Sequence, residues 1–190
     1  MRTSDDFKHH EVVKATREVL GGIGEDPDRE GLLDTPKRVA KALREMTIGY
    51  EQDPKAILAT AFEAEGYNEM VVLRNIDFFS MCEHHMLPFF GRATIAYIPR
   101  SRVVGISKLA RLVDCFSRRL QIQERMTKQI GDALQEHLDP VGFGVSISAK
   151  HLCMAARGVA KQNSDMVTQM VGGVIKSDEK ARQEFIQLAR

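Results

Sequence analysis

The chain has 190 residues, 43% of them hydrophobic, with 27 basic against 26 acidic side chains and a formal net charge of +1. That apolar content builds a core, yet no run approaches the ~20 residues of a membrane span, so no membrane partner is expected. A balanced charge gives no bulk attraction to nucleic acid, and the polar start MRTSDDFKHH lacks the apolar stretch of a signal peptide. These features predict a soluble, cytoplasmic protein.

In chain order, Ser4 is a natural N-cap for an amphipathic helix through Val12, Val13 and Leu20 that stops at Gly21-Gly22. Asp34-Thr35-Pro36 supplies a cap and an early proline for a second helix reaching about Tyr50. A short helix is predicted from Pro54 to Phe62. The character then changes. Val71-Val72-Leu73 leads into a strand, and alternation over Gly91 to Pro99 predicts another. Ser107 opens a helix through Arg119, and a second runs from about Gln123 to Leu138, stopped by Asp139-Pro140. Gly142 to Cys153 has Val145, Ile147 and Ala149 on one face and Ser146, Ser148 and Lys150 on the other, as a strand does. A strand from Met166 to Met170, the pair Gly172-Gly173 and a helix from Ser177 complete the chain. Helices followed by β-β-α-α-β-β-α predict an α+β fold with an antiparallel sheet.

Cys82, Cys115 and Cys153 are an odd, scattered set that does not make a disulfide scaffold. Cys115 sits at helical spacing with Leu112 and Arg119, as a buried free thiol would. The other two have histidine neighbours. Cys82-Glu83-His84-His85 places a thiolate and an imidazole three residues apart, a common spacing for zinc ligands. His151-Leu152-Cys153 closes the predicted strand, where residues two apart share a face. Taken alone, either segment has an ordinary structural reading, whereas together they favour a metal. The set lacks paired Cys-x-x-Cys knuckles, and a chain of this length does not need metal to fold. An open catalytic site is therefore favoured over a closed structural one. Binding through Cys82, His85 and Cys153 would leave His84 and His151 beside the metal for proton transfer, although five ligand candidates stand at this point.

Ser107, Lys108 and Arg111 occupy the start of a predicted helix, a favourable place for phosphate. Arg157 follows Cys153, and Arg38 and Lys41 share a face of the second helix. Each alone is most simply a solvated charge. Gln123-Glu124 begins another helix, where a carboxylate can accept two hydrogen bonds from a guanine edge and the amide can both donate and accept. Taken alone, Glu124 is most simply a first-turn acid complementing the helix dipole.

Several of these segments together resemble the GTP cyclohydrolase I family. The resemblance is carried by Cys82 to His85 with Gly91 to Pro99, by Val104-Gly105-Ile106-Ser107-Lys108-Leu109, by Gln121 to Thr127, and by His151 to Gly158, in the family's order and spacing. It covers roughly Thr35 to the C-terminus. The resemblance implies conversion of GTP and water to 7,8-dihydroneopterin triphosphate and formate, the entry to folate and related pterins. It assigns Zn2+ to Cys82, His85 and Cys153, and proton transfer to His84 and His151, the latter at N7 after water attacks C8. It places Ser107 by the ribose, Gln123 and Glu124 on guanine, and Lys108, Arg111, Arg157, Arg38 and Lys41 on the triphosphate. The implied fold is the T-fold, an antiparallel four-stranded sheet with two long helices on one face. Residues 1–66 form a helical N-terminal region and 67–190 the catalytic domain. The implied assembly is a homodecamer with active sites at subunit interfaces. The nitrile reductase of the queuosine pathway shares the T-fold but uses a cysteine nucleophile and NADPH without zinc, so the complete Cys82, His85, Cys153 set argues against it.

Overall fold

The computed structural model describes residues 3–189. Its elements are α1 (His9–Gly22), α2 (Thr35–Met46), α3 (Pro54–Leu58), β1 (Ala61–Glu63), β2 (Val71–Cys82), β3 (Pro88–Ile98) and β4 (Arg102–Val104). These are followed by α4 (Ile106–Ser117), β5 (Leu120–Gln121), α5 (Gln123–Leu138), β6 (Gly142–His151), α6 (Leu152–Ala155), β7 (Met166–Gly173), α7 (Val174–Ser177) and α8 (Glu179–Leu188). Among the described residues, no helix is long and apolar enough to cross a membrane.

The architecture is α+β. Four long strands pair antiparallel in the order β2-β3-β6-β7, and the short β5 adds to the free edge of β2 in parallel. β1 and β4 make a separate two-stranded ladder. Leu109, Leu112, Val113 and Phe116 form the apolar stripe of α4, and Met126, Ile130, Ala133 and Leu134 that of α5. Both stripes join Ala93, Ile95, Tyr97, Val145, Ile147 and Ala149 of the sheet in the main core. α5 ends at Asp139 in the left-handed region, ahead of Pro140, which cannot continue the helix. On the opposite face a smaller cluster of Ala96, Ile175 and Phe185 covers only one end of the sheet.

β2 carries a bulge. Leu73 faces Ile95 and Ile76 faces Ala93, so Arg74 and Asn75 together oppose Thr94. Asn75 takes φ of 56°, which asparagine tolerates better than most residues. The extra residue switches the inward phase: Val71 and Leu73 face the main core before it, Ile76, Phe78 and Cys82 after it. The Val71-Val72-Leu73 run hides this switch in the sequence.

Several element boundaries depart from the sequence pattern. Ser4 does not cap a long helix. Thr3 donates its N–H to Asp6 Oδ2 (2.7 Å) in a short 3₁₀ turn, Phe7 is extended, and α1 starts at His9. The second helix stops at Met46, with a 3₁₀ turn over Ile48–Glu51, and α3 stops at Leu58 because the chain then extends to pair with β4. β7 continues through the glycine pair expected to end it, lying against β6 up to Gly173. Asp178 caps α8 by accepting the Ala181 N–H (2.8 Å).

Two stability predictions follow from the sheet. Asn75→Val forces a β-branched residue into the left-handed region and should lose about 1–2 kcal/mol, with Asn75→Gly close to neutral, in urea denaturation. A Cβ on Gly91 would lie 1.9 Å from the Ser148 carbonyl oxygen on β6, a backbone atom that cannot swing aside. Gly91→Ala should therefore lower stability by about 3 kcal/mol in the same assay.

Candidate metal centre

β2 and β3 are joined by a tight turn that carries the CEHH segment. Cys82 donates its N–H to Leu87 O (2.9 Å), and its carbonyl accepts from Met86 N–H (2.8 Å) and His85 N–H (3.4 Å). Closing the turn this way swings His85 back over its own starting residue: Cys82 Sγ and His85 Nδ1 are 3.7 Å apart. The Cys153 thiol arrives from α6. The ligand atoms of Cys82, His85 and Cys153 all lie within 4.8 Å of one another. Tetrahedral zinc with Zn–S near 2.3 Å and Zn–N near 2.0 Å needs ligand pairs roughly 3.5–3.8 Å apart, so the donor set fits with small side-chain adjustment. Cys82 is buried, Cys153 is partly buried and His85 is exposed, which leaves one side of the cluster open. Burial pushes the Cys153 thiol above its usual range, and the Cys82 thiol beside it adds to the rise. A cation between the two sulfurs would reverse both effects.

The strand expected to carry both His151 and Cys153 ends at His151. That residue is also the N-cap of α6, so Cys153 lies in a helical turn and the two do not share a strand face. The chain separates their roles at that junction. His151 stays in the sheet opposite Phe89, and their rings stack with centroids 4.5 Å apart and planes within 3°. Its Nε2 is 2.9 Å from Gln123 Oε1. Burial lowers the His151 pKa, opposed by the charge of Glu124. His84 is exposed on the turn, edge-on to His85.

The turn is held from outside by the start of α5. Glu83 donates its N–H to Gln121 O (3.0 Å), and its carboxylate pairs with both terminal nitrogens of Arg125, one at 2.9 Å. The Arg125 hydrogen bonds hold the Glu83 carboxyl below its usual pKa. Arg125 and Phe89 were not singled out from sequence. Arg125 sits inside the Gln121 to Thr127 segment, but its partner lies 42 residues away.

The structure gives Gln123 partners other than a base edge. The residue is 1% exposed, and its amide is engaged by Ile147, Met166, Thr168 and His151. Glu124, one residue on, is exposed. Ser107 is exposed in the first turn of α4, whose N-cap is Gly105. Lys108 and Arg111 line a shallow groove with Gln52, Asp53, Ile57 and Asp114, and none of the three metal candidates lines it. Arg157 is exposed and close enough to Cys153 to oppose the rise in its pKa. Arg38 and Lys41 are exposed on α2, paired along the helix with Asp34 (3.7 Å) and Glu45 (4.0 Å). Cys115 is a buried free thiol, as its spacing predicts, and Arg119 donates to its sulfur (3.2 Å).

Comparison with known proteins gives this arrangement a context. A sequence model of the family described as GTP cyclohydrolase I matches residues 12–190. A GTP cyclohydrolase 1 of Wolinella succinogenes is 59% identical over 175 residues, covering 92% of this chain and 94% of that protein. One from Chlorobium phaeovibrioides is 57% identical over 172 residues, 90% of this chain and 77% of the relative. One from a Synechococcus species is 52% identical over 187 residues, 98% and 82% respectively. A match of this extent, on a chain whose two thiols and imidazole converge as described, shows that the protein belongs to the GTP cyclohydrolase I family of enzymes.

Proposed function

We propose that the chain converts GTP and water to 7,8-dihydroneopterin triphosphate and formate, with zinc held by Cys82, His85 and Cys153. The observation that carries this reading is the convergence of those three donors within 4.8 Å, beside a histidine fixed by other contacts. Zinc bound there supplies Lewis acidity, which makes water a competent nucleophile near neutral pH. The remaining work falls to the chain's own side chains. His151, held flat against Phe89, delivers a proton to guanine N7 as the ring opens at C8. His84, exposed on the turn, is the second proton-transfer group of this reading. Glu124 accepts two N–H donors of the guanine edge, for which its exposure at the first turn of α5 is suited.

Ser107 faces the ribose. Lys108, Arg111 and Arg157, with Arg38 and Lys41, oppose the triphosphate charge. A triphosphate needs several cations to be held in register, and these five stand on three different segments. That scatter, with none of the metal candidates on the Lys108–Arg111 groove, supports a site completed between subunits of a T-fold homodecamer. So does the open end of the sheet, where Phe79 is 65% exposed and stacks on Phe90 (5.5 Å). The setting proposed is the cytoplasm, and the product enters folate and pterin synthesis.

Incubating the zinc-loaded protein with GTP should release formate and give a fluorescent pterin after oxidation. Zinc-loaded protein that yields neither would refute the reaction. Cys153→Ser should abolish zinc binding and turnover together, whereas normal zinc content with full activity would remove Cys153 from the ligand set. His151→Ala should keep its zinc and lose about 10²- to 10⁴-fold in kcat. An equal fall in zinc occupancy, read by metal analysis, would make His151 a ligand instead.

A further inference from the structure

We infer that Gln123 is a positioning residue: it accepts a hydrogen bond from His151 Nε2–H and so fixes the orientation and tautomer of the imidazole, with Nδ1 as the ring nitrogen left for substrate. The inference rests on the reading of His151 as the proton donor, and it comes from the direction of every hydrogen bond around one buried amide. Gln123 Nε2 lies 2.9 Å from Met166 O and 3.1 Å from Ile147 O. Both are backbone carbonyls, which only accept, so the amide nitrogen must face them. The reversed amide would set its oxygen against two carbonyl oxygens with no proton between them.

A third contact agrees. Gln123 Nε2 is 3.1 Å from Thr168 Oγ1, which is 2.6 Å from Thr127 Oγ1, which donates to the backbone carbonyl of Gln123 (2.8 Å). Because Thr127 uses its single proton on that carbonyl, Thr168 must donate to Thr127 and turn a lone pair to the Gln123 amide, whose two protons are shared among three acceptors. The ring of bonds closes with one consistent direction.

With the amide fixed, Oε1 is the atom that faces His151 Nε2 at 2.9 Å, and it can only accept. Nε2 therefore carries a proton whether the ring is neutral or charged. Nδ1 is the ring nitrogen turned away from Gln123, and the stack on Phe89 removes rotation out of the plane. An amide suits this better than a carboxylate, since it fixes the tautomer without adding a charge. Gln123 thus acts on the base through His151 and not by reading the guanine edge.

A neutron structure of the deuterium-exchanged, zinc-loaded protein reads the ring directly. Deuterium on Nε2 is expected, and its absence there would overturn the assignment. Gln123→Met keeps the volume and removes the hydrogen bonds. It should lower kcat on the order of 100-fold while KM for GTP stays within about twofold. A raised KM with kcat retained would instead make Gln123 a base-reading residue. The neutron result needs no turnover, so it decides the assignment if the variant does not fold. Unmodified protein that forms no pterin would refute the reaction without touching the tautomer.

Discussion

Two residues of parallel pairing, Met81 and Cys82 on β2 against Leu120 and Gln121 on β5, join the two halves of the site. The bridge brings the end of the β2 strand and the first turn of α5 to the same place. Glu83 then finds Gln121 O and Arg125, and the Gln123 amide reaches Ile147 on β6 and Met166 on β7. Without it, the turn from Cys82 to His85 would be fastened only at its own neck. The bridge is short because it does not need to build a sheet. It needs only to set an origin from which α5 measures out its side chains.

From that origin the two groups of functional residues are held by different physics. The cysteines and His85 depend on the hairpin turn and on α6, with an ion pair as an outer brace. The Glu83–Arg125 pair is partly exposed, so its energetic value is modest, and its geometric value is the larger one. His151 and Gln123 are held by burial and by fully directed hydrogen bonds, which tolerate little adjustment. Metal ligands can move a few tenths of an ångström to suit an ion, but a proton donor has to be aimed beforehand.

The sequence made the local parts of this site readable and hid the long-range ones. Cys82 to His85 is readable because ligand spacing is a short-range property, and α4 and α5 are readable because their apolar stripes repeat. Cys153 was right in content but wrong in element, since His151 is both the last strand residue and a helix cap, a double role that its residue type does not announce. β5 is too short to show any periodicity. The partners of Gln123 lie 24 to 45 residues away on β6 and β7, so its polar, helix-opening position does not announce them. The β2 bulge left no trace because the residues before it are apolar on both faces.

That bulge has a consequence for how the sequence can change. Asn75 works as a phase converter: with Arg74 it shares the place opposite Thr94, so the odd positions before it and the even ones after it face the same core. Removing that one extra residue would leave Arg74 alone opposite Thr94 and keep Ile76, Phe78 and Cys82 inward, as in a regular strand. A residue lost or gained between Ile76 and Cys82 meets no such slack and would turn Cys82 outward, away from its partner thiol. Length variation in this strand is therefore absorbed at the bulge and not between it and Cys82, a rule of reading frame written in backbone geometry.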